Sequence, residues 1–457
     1  MFKLGEMNFW LILGEITFIF LFLFFILFII SGFHEKEPRV IRRSSLILFI
    51  LILINGIFFL LYSPLKEIVF FLVFFGAVLF ILVMILAPKP DSAQIIKKNP
   101  ERIDERDTIF ARFDYQPGSH KYSDYYRRKS EIKKIDESIH KLPDILTQPH
   151  LERVPVSFSL ASSEFDYLEN LVSLVEGKTN TKILNQSAEK NTKMIKKILK
   201  YLGADLSGIC MLDPSFCYSH VGRGPEKYGK EIKIEHKFAV VFAVEMDFLM
   251  IRRAPWAPVV VETAKKYVKA AEISIIAAGF IRSLGYPARA HIAGSNYQAL
   301  LPPLGWMAGL GEMGRLGILM TPQYGPRVRL GLITTDLPLV VDKPIVFGVQ
   351  DFCRKCKKCA LNCPAQAISN KPEEEVNGVL RWVIKREECY RFWRKVGTDC
   401  ATCIYVCPYA KPNNLFHNLI RVLSTLSHWA QTILVWGDDL FYGKRPSKKK
   451  FDKDIFN

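Results

Sequence analysis

Eight of the chain's ten cysteines lie between Cys353 and Cys407, in two ordered runs. The first reads Cys353-x2-Cys356-x2-Cys359-x3-Cys363-Pro364; the second is Cys400-x2-Cys403-x3-Cys407-Pro408, with Cys389 eleven residues ahead of it. Thiolates at such short intervals on a turn reach three corners of an iron–sulfur cube, and a fourth on the next helical turn points toward a second cube. A pseudo-twofold relation between the runs assigns Cys353, Cys356, Cys359 and Cys407 to one cluster. It assigns Cys363, Cys389, Cys400 and Cys403 to the other, making two 4Fe-4S clusters. Structural zinc uses isolated cysteine pairs and suits this spacing poorly. A disulfide framework is equally unsuited to a chain of this size, so assembly in a reducing compartment is expected. Cys210 and Cys217 stand outside the runs and are expected to be small buried apolar residues or neighbours of a cofactor.

Two close clusters form a short wire that needs a donor and an acceptor. The roughly 200 residues of folded chain before them exceed what a plain ferredoxin needs and are expected to hold the acceptor site. Apolar spacing at Met194, Ile195, Ile198, Leu199 and Leu202 marks a helix stopped by Gly203. The run 238–244 reads as a buried strand, 260–284 as a long helix ended by Gly285, and 328–335 as another strand. Between them, 305–317 is rich in glycine, and Gly309, Gly311 and Gly314 remove side-chain bulk, which is compatible with, but by itself weak evidence for, close backbone approach to a large planar cofactor. The stretch lacks the spacing of a dinucleotide fingerprint, so NAD is not expected.

The residues that place this machinery begin with three apolar runs, at 9–33, 46–62 and 68–87, each approaching the length that crosses hydrocarbon. They are expected to be retained spans rather than a cleaved signal, and Arg42-Arg43 is read as stop-transfer charge. Lys36, Arg39, Arg42, Arg43, Lys89, Lys97, Lys98 and Arg102 lie near span ends on one side, against Lys3 and Lys66 on the other. That bias puts the catalytic part in the cytoplasm. Glu15, inside the first run, is a functional candidate by position, weighed against a carboxyl tolerated within a bundle. The formal charge of +17 is scattered apart from a basic tail at 444–453, so membrane lipid rather than nucleic acid is the expected partner. The expected division is an anchor at 1–88, a linker and N-terminal extension at 89–160, a catalytic domain at 161–349, a ferredoxin-like domain at 350–412 and a C-terminal extension at 413–457. Compact folding is expected from about residue 160.

Over residues 104–445 the chain resembles the corrinoid-dependent reductive dehalogenases, relatives of epoxyqueuosine reductase. The resemblance rests on ERDTIFAR at 105–112, LGADLSGIC at 202–210, YSH at 218–220, FIRSLGY at 280–286, AGLGEMGR at 308–315, TDLP at 335–338, DDLFYG at 438–443 and both cysteine runs. It implies an α/β (α+β) architecture: a nitroreductase-like corrinoid-binding domain followed by the ferredoxin-like module, here preceded by three transmembrane helices. It also implies base-off cobalamin with no histidine ligand from the protein, and the absence of an Asp-x-His-x-x-Gly pattern agrees. By resemblance, Tyr218 protonates the carbon that loses halide and Arg282 assists, while Gly309, Gly311 and Gly314 contact the corrinoid. The physics is consistent, because a guanidinium stabilises the phenolate left by a phenol. Taken alone, Tyr218 would be read as a core tyrosine and Arg282 as a helix-end charge. Three features depart from the family: no leading twin-arginine signal, Phe216 where tryptophan is common, and spans fused to the enzyme. The expected activity is reductive dehalogenation of an organohalide with electrons from ferredoxin or quinol. The alternatives are reduction of a non-halogenated, epoxyqueuosine-like substrate, or a non-catalytic iron–sulfur carrier.

Overall fold

The computed structural model describes residues 9–60, a few positions between 68 and 85, and residues 86–90, 96–294 and 297–446. These fall into two compact units, one drawn from Met1–Asp91 with Pro412–Pro446, the other from Ser92–Lys411.

In the first unit, α1 (Phe9–His34) and α2 (Pro38–Leu60) form a hairpin. The return is tight: the Glu35 N–H donates to Ser31 O at 2.9 Å and Lys36 takes φ 54°. Within them, Ile12–His34 and Pro38–Ile57 are long and apolar enough to cross a membrane, with mean hydropathies of 2.9 and 1.9. The second helix starts eight residues ahead of the apolar run at 46, because Pro38 suits a first helical turn and Ser44 and Ser45 continue it. The third expected span, 68–87, lies partly outside the described residues. Glu15 is half-buried in α1.

The second unit opens with α3 (Ile109–Asp114), α4 (His120–Arg128) and α5 (Ser130–His140). Compact folding therefore begins well before residue 160. Polar composition concealed it, because the segment is held by a buried ion pair and by aromatic packing of Tyr115, Tyr125 and Tyr126 rather than by an aliphatic stripe. Arg112 and Asp136, both fully buried, are joined through two hydrogen bonds, one of them Nε to Oδ2 at 3.0 Å. The Tyr126 hydroxyl donates to the same carboxylate at 2.8 Å.

After α6 (Pro155–Asn170) and α7 (Ala188–Leu202) comes a four-stranded sheet. Gly203 ends α7 at φ 99°, a left-handed turn that glycine adopts without strain. The strands are β1 (Leu206–Met211), β2 (Phe238–Glu245), β3 (Ala288–His291) and β4 (Val328–Thr335), in the order β1-β2-β4-β3 and antiparallel throughout. Register pairs Cys210 with Ala239, Val241 with Leu332, and His291 with Leu332. The apolar run of β2 is nearly continuous because both faces of the sheet are covered. Val240, Phe242 and Ile333 pack with Ile195 and Leu199 of α7 and with Ala277 and Ile281 of α8 (Pro258–Ser283). Ala239, Val241 and Leu332 pack instead with Leu301 and Leu304 of α9 (Leu301–Met307).

The cysteine segment supplies α10 (Val349–Cys356), α11 (Arg386–Val396) and α12 (Thr402–Tyr405). Glu387 of α11 accepts from Arg112 Nη1 at 2.7 Å, which ties the N-terminal helices to this segment. The chain then returns to the first unit with α13 (Leu415–Leu423) and α14 (His428–Tyr442).

Candidate redox and proton-transfer site

The residues that follow Cys356 and Cys400, Lys357 and Ala401, are left-handed, at φ 52° and φ 45°. Each reverses the chain between a cysteine and a one-turn helix, Lys358–Leu361 or α12, that carries the next one. The thiols are thereby gathered rather than dispersed. Burial, then the neighbouring Cys353, Cys407 and Cys356, hold the Cys359 thiol well above its usual range. Burial, then Cys400 and Cys363, push Cys389 up to about 12. Cys403 is raised by burial and by Cys400, Cys359, Cys389 and Cys363. Thiols that are buried and mutually repulsive in the thiolate form favour a strongly cationic partner, and an iron core relieves both penalties. The donor set therefore fits iron–sulfur clusters.

The glycine-rich stretch lies against the cysteine segment. Arg315, almost fully buried, donates from Nε to Cys353 O at 3.1 Å and from Nη1 to Ser369 O and Lys371 O at 2.7 and 2.9 Å. Its guanidinium stacks 4.7 Å over Trp382. Glu312 Oε2 accepts from the N–H groups of Phe347 at 2.7 Å and Val349 at 3.2 Å. The space the glycines leave is taken by the chain itself. A Cβ on Gly309 would lie 2.5 Å from Lys343 O, one on Gly311 1.9 Å from Met320 O, and one on Gly314 2.7 Å from Met320 Cγ. The close approach at these positions is thus made by this protein's own backbone and by Met320.

Tyr218 follows the buried Phe216 and Cys217, and its N–H donates to Gln298 O at 2.9 Å while its carbonyl accepts from Arg102 Nη2 at 2.6 Å. Burial, reinforced by Glu105, raises its phenol, and Arg223 lowers it. The phenol therefore keeps its proton at neutral pH. Glu105 is buried, and burial pushes its carboxyl up to about 7 although the N–H groups of Gly222 and Arg223 donate to its Oε2 at 2.7 and 3.3 Å. A Cβ on Gly222 would meet Arg106 N at 2.7 Å, so only glycine permits this contact. Arg223 is held by Asp114 at 2.6 Å.

Arg282 is not brought to Tyr218. Its Nη1 donates to Ala288 O at 2.9 Å and Val175 O at 3.4 Å, and the guanidinium packs beneath Gly177. The FIRSLGY string placed Arg282 near the end of α8 but left open which neighbour the helix face meets. Arg289 on β3 instead lines a cavity of about 830 Å³ in the second unit, together with Glu226, Gln298, His236 and Ile232. It pairs with Glu176, and Glu226 lies 3.6 Å from its Nη2. Gln298, whose carbonyl anchors Tyr218, lines the same cavity, which is of a size that holds a large organic guest. Glu105, Arg223, Arg289 and Arg315 were not singled out by sequence reasoning, although Glu105 and Arg315 lie inside motifs used for the resemblance. Cys210 and Cys217 are both buried, with thiols pushed up to about 12 and about 11, chiefly by desolvation.

The family description of a 4Fe-4S dicluster domain matches residues 352–411. A tetrachloroethene reductive dehalogenase of Dehalobacter restrictus is 34% identical over 288 residues, covering 53% of this chain and 52% of the relative. An epoxyqueuosine reductase of Lactococcus garvieae is 31% identical over 116 residues, covering 24% of this chain and 32% of that protein. A solved reductive dehalogenase, described in connection with B12-dependent dehalogenation, superposes with TM-score 0.64 at 26% identity, covering 79% of this chain and 50% of that one. The chain spans about half the length of the reductive dehalogenases it matches.

Proposed function

Because this chain is a relative of the reductive dehalogenases, we propose that it is a membrane-anchored corrinoid and iron–sulfur reductase that removes halide from an organohalide. Cys353, Cys356, Cys359 and Cys407, and Cys363, Cys389, Cys400 and Cys403, would hold two 4Fe-4S clusters, which would supply electrons from ferredoxin or quinol to a bound cobalamin. The observation that carries the reading is one compact unit containing both the gathered thiols and a half-buried tyrosine whose backbone anchor lines a cavity of about 830 Å³. Bound corrinoid supplies a strongly reducing cobalt centre.

The protein's own part is to exclude water and manage one proton. Tyr218, kept protonated by burial, donates to the carbon as halide departs. Arg223, the cation that acts on its phenol, stabilises the phenolate. Glu105 titrates near neutrality and returns the proton. Arg282 supports this site from a distance, by fixing Val175 and Ala288 on the edge of the same cavity. Any contact of Gly309, Gly311 and Gly314 with the corrinoid is through backbone atoms, since their Cβ positions face the chain itself. The anchor is multi-pass, with the catalytic unit in the cytoplasm.

The test is anaerobic protein with reconstituted clusters, cobalamin and a strong reductant, offered a broad organohalide panel. Halide release is expected, with a loss of about 10²-fold or more in Tyr218→Phe and unchanged cluster absorption. No release from any organohalide would reject the reading. Local similarity to an epoxyqueuosine reductase favours a second one, reduction of an epoxide. The same preparation with epoxyqueuosine-bearing transfer RNA separates the two by which product appears.

A further inference from the structure

Helices α13 and α14 turn one face inward and leave the other bare. On the inner face Phe416 stacks on Phe28 of α1 at 4.4 Å, and Phe441 meets Phe28 edge-on at 4.7 Å. His417 Nε2 lies 2.5 Å from Glu35 Oε1, and the Tyr442 hydroxyl donates to Glu35 Oε2 at 2.9 Å. This buried polar cluster pins both helices to the α1–α2 turn. The outer face carries Leu415, Leu419 and Val422 on α13 and Trp429, Ile433 and Trp436 on α14, every one exposed. Within each helix these recur at steps of three and four, so each helix presents a continuous apolar stripe.

The points of attachment say what covers that stripe. The first N–H of α14, on His428, donates to Pro88 O at 3.0 Å, at the end of the third apolar run. The other end of α14 is held at the α1–α2 turn: Arg43 donates to Leu440 O, and Arg39 donates to Arg445 O at 3.3 Å. In a three-span anchor, Pro88 and the α1–α2 turn emerge on the same side of the membrane. A helix of fifteen residues, about 22 Å long, fixed to that side at both ends runs along the bilayer surface rather than through it. Tryptophan favours this depth. Exposed Arg39, Arg42, Arg43, Lys444 and Arg445 surround the α14 C-terminus and complement anionic headgroups.

We propose that α13 and α14 form an amphipathic collar lying in the membrane surface, their apolar stripe seated among the headgroups and upper acyl chains of an anionic bilayer. The collar is a second membrane attachment, separate in sequence from the spans. The inference rests on reading α1, α2 and the third apolar run as membrane-spanning.

The full chain, with clusters intact, is reconstituted into liposomes of phosphatidylethanolamine and phosphatidylglycerol, with or without bromine on the upper acyl chain. Tryptophan emission is compared with that of the Trp429→Phe/Trp436→Phe variant, and cluster absorption reports folding. The emission lost in the variant should be quenched several-fold more by brominated lipid than by aqueous iodide. Preferential quenching by iodide would overturn the collar, as would protection from both quenchers, which would mean that a second copy or another protein covers the stripe. Alkaline carbonate tests the premise separately. Protein that stays in the liposomes while its two tryptophans face iodide keeps its spans and has no collar. Protein that is released although those tryptophans are lipid-quenched has a collar and no spans.

Discussion

At the scale of single residues, desolvation holds the protons of two side chains. The Tyr218 phenol and the Glu105 carboxyl both lie above their usual ranges because desolvation disfavours their charged forms. For Glu105 this has a consequence for stability. Its folded value, about 7, exceeds the 4.5 of an ordinary glutamate, so the folded state binds the proton more tightly. The stability linked to that proton is complete below about pH 4.5 and is lost as pH rises through 7. The magnitude is on the order of 3 kcal/mol. Thermal unfolding followed from pH 5 to 8 should therefore show a fall in Tm that Glu105→Gln largely abolishes. An equal fall in the variant would show that another group titrates.

At the scale of elements, the N-terminal helices and the cysteine segment are locked by charge. Arg112 is fully buried between Asp136 of α5 and Glu387 of α11. Removing one partner of such a pair leaves a buried charge without its counter-ion, which typically costs about 3–5 kcal/mol. Asp136→Ala is expected to destabilise by about that amount in denaturant unfolding, whereas Asp124→Ala, whose arginine partners on α4 are more exposed, should cost less than about 1 kcal/mol. The two cysteine runs allow a second test at this scale. If the ligand sets cross between runs, Cys407→Ala should alter the same reduced-state electron paramagnetic resonance signal as Cys353→Ala. Cys363→Ala should alter the signal that Cys400→Ala alters. Grouping of Cys407 with Cys400 would refute the crossing.

At the scale of the whole molecule, the proposed orientation in the membrane would decide which electron donors are within reach. Lys36, Arg39, Arg42 and Arg43, together with the basic residues after the third apolar run, favour one side, and orientation responds to lysine and arginine near span ends rather than to net charge. A fluorescent protein fused after Asn457 should fold and emit, while a phosphatase active only in the periplasm should stay silent at the same position. The reverse pattern would move the catalytic unit outside and restore Arg42-Arg43 as an export signal.

What the sequence determined by itself is short-range. Cysteine spacing pointed to iron–sulfur chemistry, and residues 352–411 match a dicluster domain. Apolar periodicity located α8, β2 and β4 within a few residues, because a ligand run or a buried strand is specified by neighbours along the chain. What only the tertiary structure decided is long-range. Glu105 and Arg223 meet Tyr218 from opposite sides in sequence, and Arg282 turns to two carbonyls instead. The glycines at 309, 311 and 314 are required by Lys343 and Met320. Polar residues from 105 to 140 fold because Arg112 finds Asp136 and Glu387, and the C-terminal helices join α1 and α2 because Glu35 finds His417 and Tyr442. Each of these depends on which surfaces pack together, and a buried polar group selects its partner by geometry and desolvation, neither of which is written in local spacing.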